Sequence, residues 1–319
     1  MRSAPAATRG SSSSARGGRT RPRWSSSSWS DSRTPARGGS APMSTARLRI
    51  AYDGRGFAGW AAQPERRTVQ GELEAALGRI LGERVTLTVA GRTDAGVHAS
   101  AQVASFEHAA ELPDRLAERL NGVLPRDVAV QAAGPAPDGF DARRSARSRT
   151  YRYRVLASPI RDPFEEGRAL WWRHPLDRAL LDACAEAVVG SHDFTAFTPT
   201  QTEHVLFVRD VLRCEWSQER RPSVDPPIPG MSTAVPTGAA GGMSEDQRAQ
   251  EMGGTLLALQ IESEAFMRSQ VRVVVGTMLE VAARRRTLAD FRALLDGAPR
   301  ERAGETAPAH GLCLVAVSY

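Results

Sequence analysis

The amino-acid sequence predicts an α+β fold made of two ferredoxin-like (split βαβ) units, each with helices on one face of an antiparallel sheet, and a cleft between the units. Short apolar runs that alternate as in half-buried strands are interleaved with apolar residues at helical spacing. In the first half, the order of these elements is β-α-β-β-α-β. A similar order follows a Gly- and Pro-rich link at residues 134–139, which predicts the second unit.

The first unit is assigned to residues 46–138. Alternating apolar residues from Leu48 to Tyr52 predict a strand that ends at Asp53. Apolar residues at helical spacing after Thr68, a residue type that caps helices, predict the first helix. The other elements are expected at residues 85–89 (strand), 101–106 (strand), 116–123 (helix) and 128–132 (strand).

The second unit is assigned to residues 139–319. Strands are expected at residues 149–156, 169–172, 205–216, 255–262 and 313–317, and helices at 177–189, 267–283 and 288–295. Between two of these strands, residues 219–253 contain five prolines and many Gly, Ser and Ala residues, which predicts a mobile insertion.

Residues 1–45 are expected to form a disordered basic leader. Residues 1–42 have almost no aliphatic side chains and carry a net +7, so the other 277 residues carry a net −1. The overall charge of +6 therefore says little about the partners of the folded body. Rich in Arg and Ser, the leader also resembles an organellar transit peptide, and Met43 offers an alternative start.

Composition excludes several classes of function. All 42 basic residues are arginines, which excludes lysine Schiff-base chemistry and a lysine-dependent phosphate loop. Three widely spaced cysteines and six unclustered histidines predict neither a disulfide framework nor a metal site. The longest apolar run is far shorter than the roughly 20 residues that a membrane span needs. A metal-free protein of the reducing cytoplasm, without a membrane span, is expected.

Residues 91–98, Gly-Arg-Thr-Asp-Ala-Gly-Val-His, break the apolar pattern between two predicted strands. Glycines at both ends of this loop permit positive φ or close approach to a ligand, so Asp94 between them can project into a cleft. A polar hairpin loop in which Asp94 caps a turn is the plainer interpretation of these residues alone. His98 is open to two interpretations, a general base or a structural histidine.

Residues 143–154 contain six arginines and no acid. On an alternating strand, Arg152 and Arg154 face one side while Tyr151 and Tyr153 face the other. Such a strand suits phosphate contacts and base stacking; the alternative is a solvated basic strand with core tyrosines.

Arg272 lies beside the apolar stripe of the predicted helix at residues 267–283. A charged side chain there is costly unless a carboxylate meets it, and the fixed fork of an arginine could hold Asp94 ionised and oriented. The alternative is an arginine that reaches the surface through its long stem.

Residues 91–99 closely resemble the signature loop of the tRNA pseudouridine synthase A family. The strand at residues 149–153, the helix at 266–276 and the closing segment at 310–315 are similar to that family's other motifs, in the same order. The similarity runs from about residue 47 to the C-terminus, apart from the insertion. The sequence departs from the family pattern at Ala61, Val273 and Cys313, where Gln, Asn and Tyr are common.

The resemblance implies a pseudouridine synthase fold and a homodimeric, cofactor-free isomerase of the cytoplasm. Its substrates would be uridines of the tRNA anticodon stem-loop, at tRNA positions 38 to 40. By the same match, Asp94 is the nucleophile, Arg272 its ion-pair partner and Tyr151 the aromatic residue stacked near the target base. Arg92 would assist base flipping, and Arg143 would bind the tRNA.

Two other classes of function stay open from the residues alone. One is a non-catalytic RNA-binding protein that uses open sheets as stacking platforms. The other is an N-glycosidase that releases the base. The loop contains one carboxylate, which suffices for covalent attack at C6 of uracil or C1′ of ribose, whereas a conventional hydrolytic glycosidase needs a pair.

Overall fold

The computed structural model describes residues 43–109, 111–201, 205–219 and 254–319. Residues 1–42 of the predicted leader and residues 220–253 of the predicted insertion lie outside the described residues. The disorder and mobility expected of these two segments therefore stay predictions.

Strands and α-helices alternate along the described residues, so the α+β class is confirmed. The strands are β1 (Ser44–Tyr52), β2 (Thr88–Val89), β3 (His98–His108), β4 (Val128–Pro135), β5 (Ser148–Ala157), β6 (Leu170–Trp172), β7 (Gly190–Asp193), β8 (Val208–Glu219), β9 (Thr255–Ser263) and β10 (Leu312–Ser318). The helices are α1 (Val69–Leu81), α2 (Leu116–Val123), α3 (Arg178–Val188), α4 (Gln270–Ala282) and α5 (Leu288–Ala293).

All the strands in the described residues belong to one continuous sheet, in the order β4-β1-β3-β10-β5-β9-β8-β7, with β2 beside β3 and β6 beside β5. The first half of the chain contributes β4-β1-β3-β2, and the second half contributes β10-β5-β9-β8. The halves meet where β10 pairs in parallel with β3, with Cys313 opposite His98 and Leu314 opposite Ala99. Because β6 also pairs in parallel with β5, the sheet is mixed rather than purely antiparallel.

Helix α1 shows how the local sequence builds the first half. The Thr68 side chain accepts a hydrogen bond from the Gly71 backbone N–H at its start, and Gly82 ends it in the left-handed conformation. Leu73 and Leu77 are fully buried on its inner face, in the same core cluster as residues of β1. Burying each such leucine contributes about 1.5 to 3 kcal/mol.

Two predicted strands differ from the structure. The strand expected at residues 85–89 shortens to β2, because the Leu87 N–H donates to the Glu74 carboxylate on α1 (2.9 Å) instead of to a neighbouring strand. Leu87 is nevertheless buried, which is why its pattern resembled a strand. The strand expected at residues 205–216 begins at Val208, and its partner β7 was not predicted because its four residues, Gly-Ser-His-Asp, lack an apolar pattern.

Candidate active site

A cleft of about 1340 Å³ opens between the two halves of the sheet. Its walls come from the 91–97 loop, the start of β5, and the segment that leads into α4. All five side chains singled out from the sequence line this cleft, namely Arg92, Asp94, Arg143, Tyr151 and Arg272.

The loop that carries Asp94 is fixed by hydrogen bonds on both sides. The Thr93 carbonyl accepts from the Trp60 N–H (3.0 Å), and the Thr93 hydroxyl lies 2.8 Å from the buried Tyr52 hydroxyl. The Asp94 carbonyl accepts from the Val97 N–H (3.1 Å), which closes a tight turn. This turn depends on Gly96, whose φ of +80° is the left-handed conformation that glycine favours.

The turn interpretation and the cleft interpretation of Asp94 therefore both hold: its main chain makes the turn, while its side chain faces the cleft. Glycine at position 59 leaves room for the loop that carries Asp94, since a Cβ there would lie 3.0 Å from the Thr93 carbonyl oxygen. Gly91, in contrast, does not have positive φ; it lines the cleft, which is the other of the two expected uses of these glycines.

The Asp94 carboxylate is contacted by two side chains of the α4 region. Arg272 places Nη1 3.5 Å from Asp94 Oδ2, and the Ser269 hydroxyl donates to the same oxygen at 3.0 Å. Both members of the ion pair are partly shielded from solvent, with 18% of the Arg272 side chain and 29% of the Asp94 side chain exposed. A charge pair in this setting is screened less than a surface pair.

Arg272 is held in place by the chain segment before β10. Its Nε donates to the Ala307 carbonyl (2.8 Å), and its own carbonyl accepts from the Ala307 N–H (3.1 Å). Gly276 allows α4 to approach this segment, because a Cβ there would stand only 1.9 Å from the Glu305 carbonyl oxygen. With Nε occupied, the guanidinium meets Asp94 through a single nitrogen rather than through a two-pronged fork.

Tyr151 lies on β5 with its ring edge-to-face against Phe266 (5.2 Å between ring centroids). Its hydroxyl approaches Gly91, and a Cβ at Gly91 would lie 3.7 Å from it. Only 7% of Tyr151 is exposed, so the alternative of core tyrosines holds for this strand. Burial raises the pKa of Tyr151, and the nearby Tyr52 and Asp94 add to the shift. Tyr153 is fully buried and donates to the Pro308 carbonyl.

The arginines of β5 are not a free phosphate-binding face. Arg154 pairs with Glu165 (2.6 Å) and Glu219 (2.8 Å), and Arg152 also pairs with Glu219 (3.3 Å). Both glutamates lie outside residues 143–154, so this acid-free segment alone did not indicate them. Of the sequence-predicted arginines, Arg92 and Arg143 remain exposed beside the cleft.

Comparison with known proteins identifies the family. Residues 49–143 and 184–319 match the family model described as tRNA pseudouridine synthase. The chain belongs to the tRNA pseudouridine synthase family. Proteins named tRNA pseudouridine synthase A are similar to it: that of Frankia casuarinae is 41% identical over 276 residues (86% of this chain, 88% of the relative), and that of Halalkalibacterium halodurans is 36% identical over 267 residues (83% and 89%). A third, from Moorella thermoacetica, is 36% identical over 281 residues (87% and 100%).

The resemblance seen in the sequence of this synthase family member is thus confirmed. Arg92, Asp94 and Arg143 lie in the first segment matched by the synthase model, and Arg272 lies in the second. Tyr151 lies between the two segments. Its place in the site rests on the geometry described above.

The departures of this synthase from its family pattern do not touch the Asp94 carboxylate. Val273 is fully buried in the core and does not line the cleft. Cys313 lies opposite Arg152 in the sheet, where burial raises the pKa of its thiol.

Two residues of the candidate site were not predicted as such. Ser269 was part of a recognised motif, but nothing in the sequence indicated that its hydroxyl meets Asp94. Arg149 belongs to the basic segment at residues 143–154, yet it is buried, and burial lowers its pKa. Its guanidinium donates to the carbonyls of Ala90 and Glu264, among others, and so joins the Asp94 loop to the segment before α4.

His98 has a structural place in this synthase. Its Nδ1 accepts from the Gly54 N–H (3.2 Å) and lies 3.3 Å from Asp53 Oδ1. Burial lowers the pKa of His98, and the Asp53 carboxylate opposes that shift. The structural interpretation of His98 is therefore favoured over a general base.

Within the part of the chain that the structure describes, no three His, Cys, Asp or Glu side chains group as metal ligands. None of the described helices is long and apolar enough to cross a membrane.

Proposed function

We propose that this protein isomerises uridine to pseudouridine in the anticodon stem-loop of tRNA, with Asp94 as the covalent nucleophile. Its membership of the synthase family supports the reaction. One observation carries the assignment of Asp94: its carboxylate faces a cleft, in contact with Arg272 and Ser269, in the loop that resembles the family signature.

The reaction breaks the bond between ribose C1′ and uracil N1 and forms a bond between C1′ and uracil C5. The base must therefore leave the helical stack and turn while it is held. An ionised carboxylate beside an arginine is a suitable nucleophile for a covalent route, because its charge is stabilised without blocking both oxygens. Two routes are consistent with this arrangement.

In the first route, a lone pair of the Asp94 carboxylate forms a bond to C1′ while the C1′–N1 bond breaks and leaves its electron pair on N1. The base turns, and C5 attacks C1′ and expels the carboxylate. Loss of the C5 proton restores the ring, and N1 takes up a proton. The enzyme returns to its starting state and the product is an isomer of the substrate.

In the second route, the carboxylate adds to C6, and the C5=C6 electrons move towards the C4 carbonyl. The C1′–N1 bond then breaks with its electron pair on N1, and C5 forms the new bond to C1′. Loss of the C5 proton and expulsion of the carboxylate from C6 restore the double bond, while N1 takes up a proton. Both routes release the hydrogen of C5.

The proposed roles of Tyr151, Arg92 and Arg143 follow from their positions at the cleft. Tyr151 lines the cleft beside the Asp94 loop, where the face of its ring would stack against the target base. Arg92 lies in the same loop, exposed, where it can enter the space left by a flipped nucleotide. Arg143, also exposed at the cleft, is suited to a tRNA phosphate.

We also propose the two-unit organisation, with domains at residues 46–138 and 139–319 that each form a ferredoxin-like unit. The strand orders β4-β1-β3-β2 and β10-β5-β9-β8 support it, because they correspond strand for strand. A homodimeric, cofactor-free enzyme of the cytoplasm follows from the family resemblance and belongs to the same proposal.

An N-glycosidase is the less favoured alternative. Asp94 is the only acidic residue among the described residues that line the cleft, whereas hydrolysis by the usual mechanism needs two carboxylates.

The test is to incubate unmodified tRNA with the purified protein, digest it to nucleosides and separate them by chromatography. We expect pseudouridine, which has the mass of uridine but a different retention time. Unchanged uridine together with tight tRNA binding would instead indicate an RNA-binding protein. Free uracil and abasic sites would indicate a glycosidase.

A further inference from the structure

Ser269 begins α4 in an unusual way. It occupies the N-cap position with φ 56° and ψ 1°, the left-handed conformation that residues other than glycine, asparagine and aspartate rarely adopt. Serine at an N-cap normally accepts a hydrogen bond from the helix backbone, but here no such bond is made. The Ser269 hydroxyl instead donates across the cleft to Asp94 Oδ2 (3.0 Å).

The local hydrogen bonds show that Ser269 is not needed to close the start of the helix. The side-chain oxygen of the buried Gln270 accepts from the Met267 N–H (2.9 Å), and the Gln270 N–H donates to the Met267 carbonyl (3.3 Å). A non-glycine residue in this conformation costs of the order of 1 kcal/mol or more. Such local strain at a functional site is maintained when the conformation aims a side chain at its target.

The two oxygens of Asp94 are in different surroundings. Oδ2 receives both the Ser269 hydroxyl and the Arg272 guanidinium. Among the residues that the structure describes, none donates a hydrogen bond to Oδ1. An oxygen with two cationic or donor partners is the weaker nucleophile, since its lone pairs are engaged.

We propose that Ser269 is a positioning residue that fixes the rotation of the Asp94 carboxylate, so that Oδ1 forms the covalent bond to the substrate. The inference rests on the proposed function. A lone pair of Oδ1 forms the bond to carbon, and the same bond breaks when the carboxylate is expelled. Arg272 alone, at 3.5 Å, restrains the position of Oδ2 but leaves the carboxylate free to rock. The hydroxyl supplies the second, shorter contact that sets its plane.

Three substitutions separate the hydroxyl from the backbone conformation. Ser269→Ala removes the hydroxyl and keeps a Cβ in the left-handed conformation, Ser269→Thr keeps both, and Ser269→Gly removes the hydroxyl and relieves the backbone. Arg115→Gly is the matched control, because Arg115 is also a left-handed N-cap without a side-chain cap bond (φ 56°, ψ 37°) and does not line the cleft.

The experiment measures kcat and KM for pseudouridine formation in unmodified tRNA, together with Tm, for the parent and all four variants. We expect kcat to fall about 10-fold in Ser269→Ala and Ser269→Gly, the size of effect that one hydrogen bond of about 1.4 kcal/mol gives, with KM within about twofold of the parent. Ser269→Thr should stay within about threefold of the parent kcat. Tm should not fall in Ser269→Gly or Arg115→Gly, and Arg115→Gly should keep the parent kcat.

Parent-like kcat in both Ser269→Ala and Ser269→Gly would overturn the inference, as would a rise in KM at constant kcat, which would place Ser269 in tRNA binding. If Ser269→Thr is as slow as Ser269→Ala at an unchanged Tm, the hydroxyl is not the active feature and the inference is again wrong. If Ser269→Thr fails to fold, the kcat of Ser269→Gly compared with that of Arg115→Gly is sufficient to test the inference. A parent protein that forms no pseudouridine would refute the proposed function itself, a result distinct from all of these.

Discussion

Replacing Arg149 by Met should destabilise the protein and loosen its active site at the same time. The Arg149 guanidinium is buried, no carboxylate of the described residues pairs with it, and all its N–H groups donate to main-chain carbonyls. Nε and Nη2 donate to Ala90 (3.0 and 2.7 Å), Nη2 donates to Arg143 (2.8 Å), and Nη1 donates to Ala146 (3.2 Å) and Glu264 (2.6 Å). One side chain therefore ties three loops together around the cleft.

The size of the expected loss of stability follows from the carbonyl groups that the substitution leaves unpaired. Four carbonyl oxygens lose a donor, and an unsatisfied acceptor in a buried setting costs about 1 kcal/mol or more each. Met fills a similar volume and carries no charge. The variant therefore avoids the cost of burying a guanidinium, which offsets part of the loss of stability. We expect the free energy of unfolding to fall by about 3 kcal/mol, which corresponds to a decrease in Tm of roughly 6 to 10 °C for a chain of this size.

Urea unfolding and thermal melts of Arg149→Met measure this directly, with Arg147→Met as the control. Arg147 is in the same basic segment but exposed, so its replacement should change the free energy of unfolding by less than about 0.5 kcal/mol. A loss below about 1 kcal/mol for Arg149→Met would refute the view that its carbonyl contacts hold the loops. Arg149→Lys should give an intermediate loss, because an ammonium group has three donors rather than five.

Substitutions at three further residues probe the parts of the site. Arg272→Leu removes both the contact to Asp94 and the bond to the Ala307 carbonyl, so initial rates of pseudouridine formation should fall about 100-fold. Tyr151→Phe should stay within about threefold of the parent kcat/KM, whereas Tyr151→Leu should lose about 10- to 100-fold, because stacking on a base contributes about 1 to 3 kcal/mol. Gly59→Ala should lower both Tm and kcat, since its φ is +104° and its Cβ would crowd the Thr93 carbonyl at 3.0 Å.

Each of these has a control and a contrary outcome. As the control, Arg284→Leu breaks an exposed ion pair with Asp177 away from the cleft and should leave the rate unchanged. A parent-like rate for Arg272→Leu would show that the ion pair between Arg272 and Asp94 is not needed for the reaction. Equal activity of the Phe and Leu variants would show that the aromatic ring at Tyr151 is dispensable. Gly82→Ala also has positive φ (+74°) but meets nothing within 4 Å, so an equal fall in kcat there would show that crowding of the Asp94 loop is not the cause.

Much of the fold was predictable from local patterns. The β1 strand and helix α1 follow from alternation and helical spacing, and Thr68 caps the helix as expected. The parallel contact between β10 and β3 was not predictable, because it joins Leu314 to Ala99 across most of the sequence. Local patterning contains no information about which distant strands meet.

The candidate site, like the fold, was predictable only in part. Asp94, Arg272 and Tyr151 were predicted from motif resemblance, and they do line one cleft. The free basic face expected on β5 was wrong, because Glu165 and Glu219 neutralise it from outside the segment. The contributions of Ser269 and Arg149 depend on a left-handed backbone and on carbonyls from three loops, features that residue type alone does not reveal.

Release of tritium from tRNA labelled at uracil C5 tests the role of Asp94 most directly. Both routes in the proposed mechanism free the C5 hydrogen only after the carboxylate has formed its bond. Asp94→Asn keeps the shape of the side chain but removes the negative charge, so it should bind tRNA like the parent and release no tritium above background. Release at near the parental rate from Asp94→Asn would contradict the assignment of Asp94 as the nucleophile.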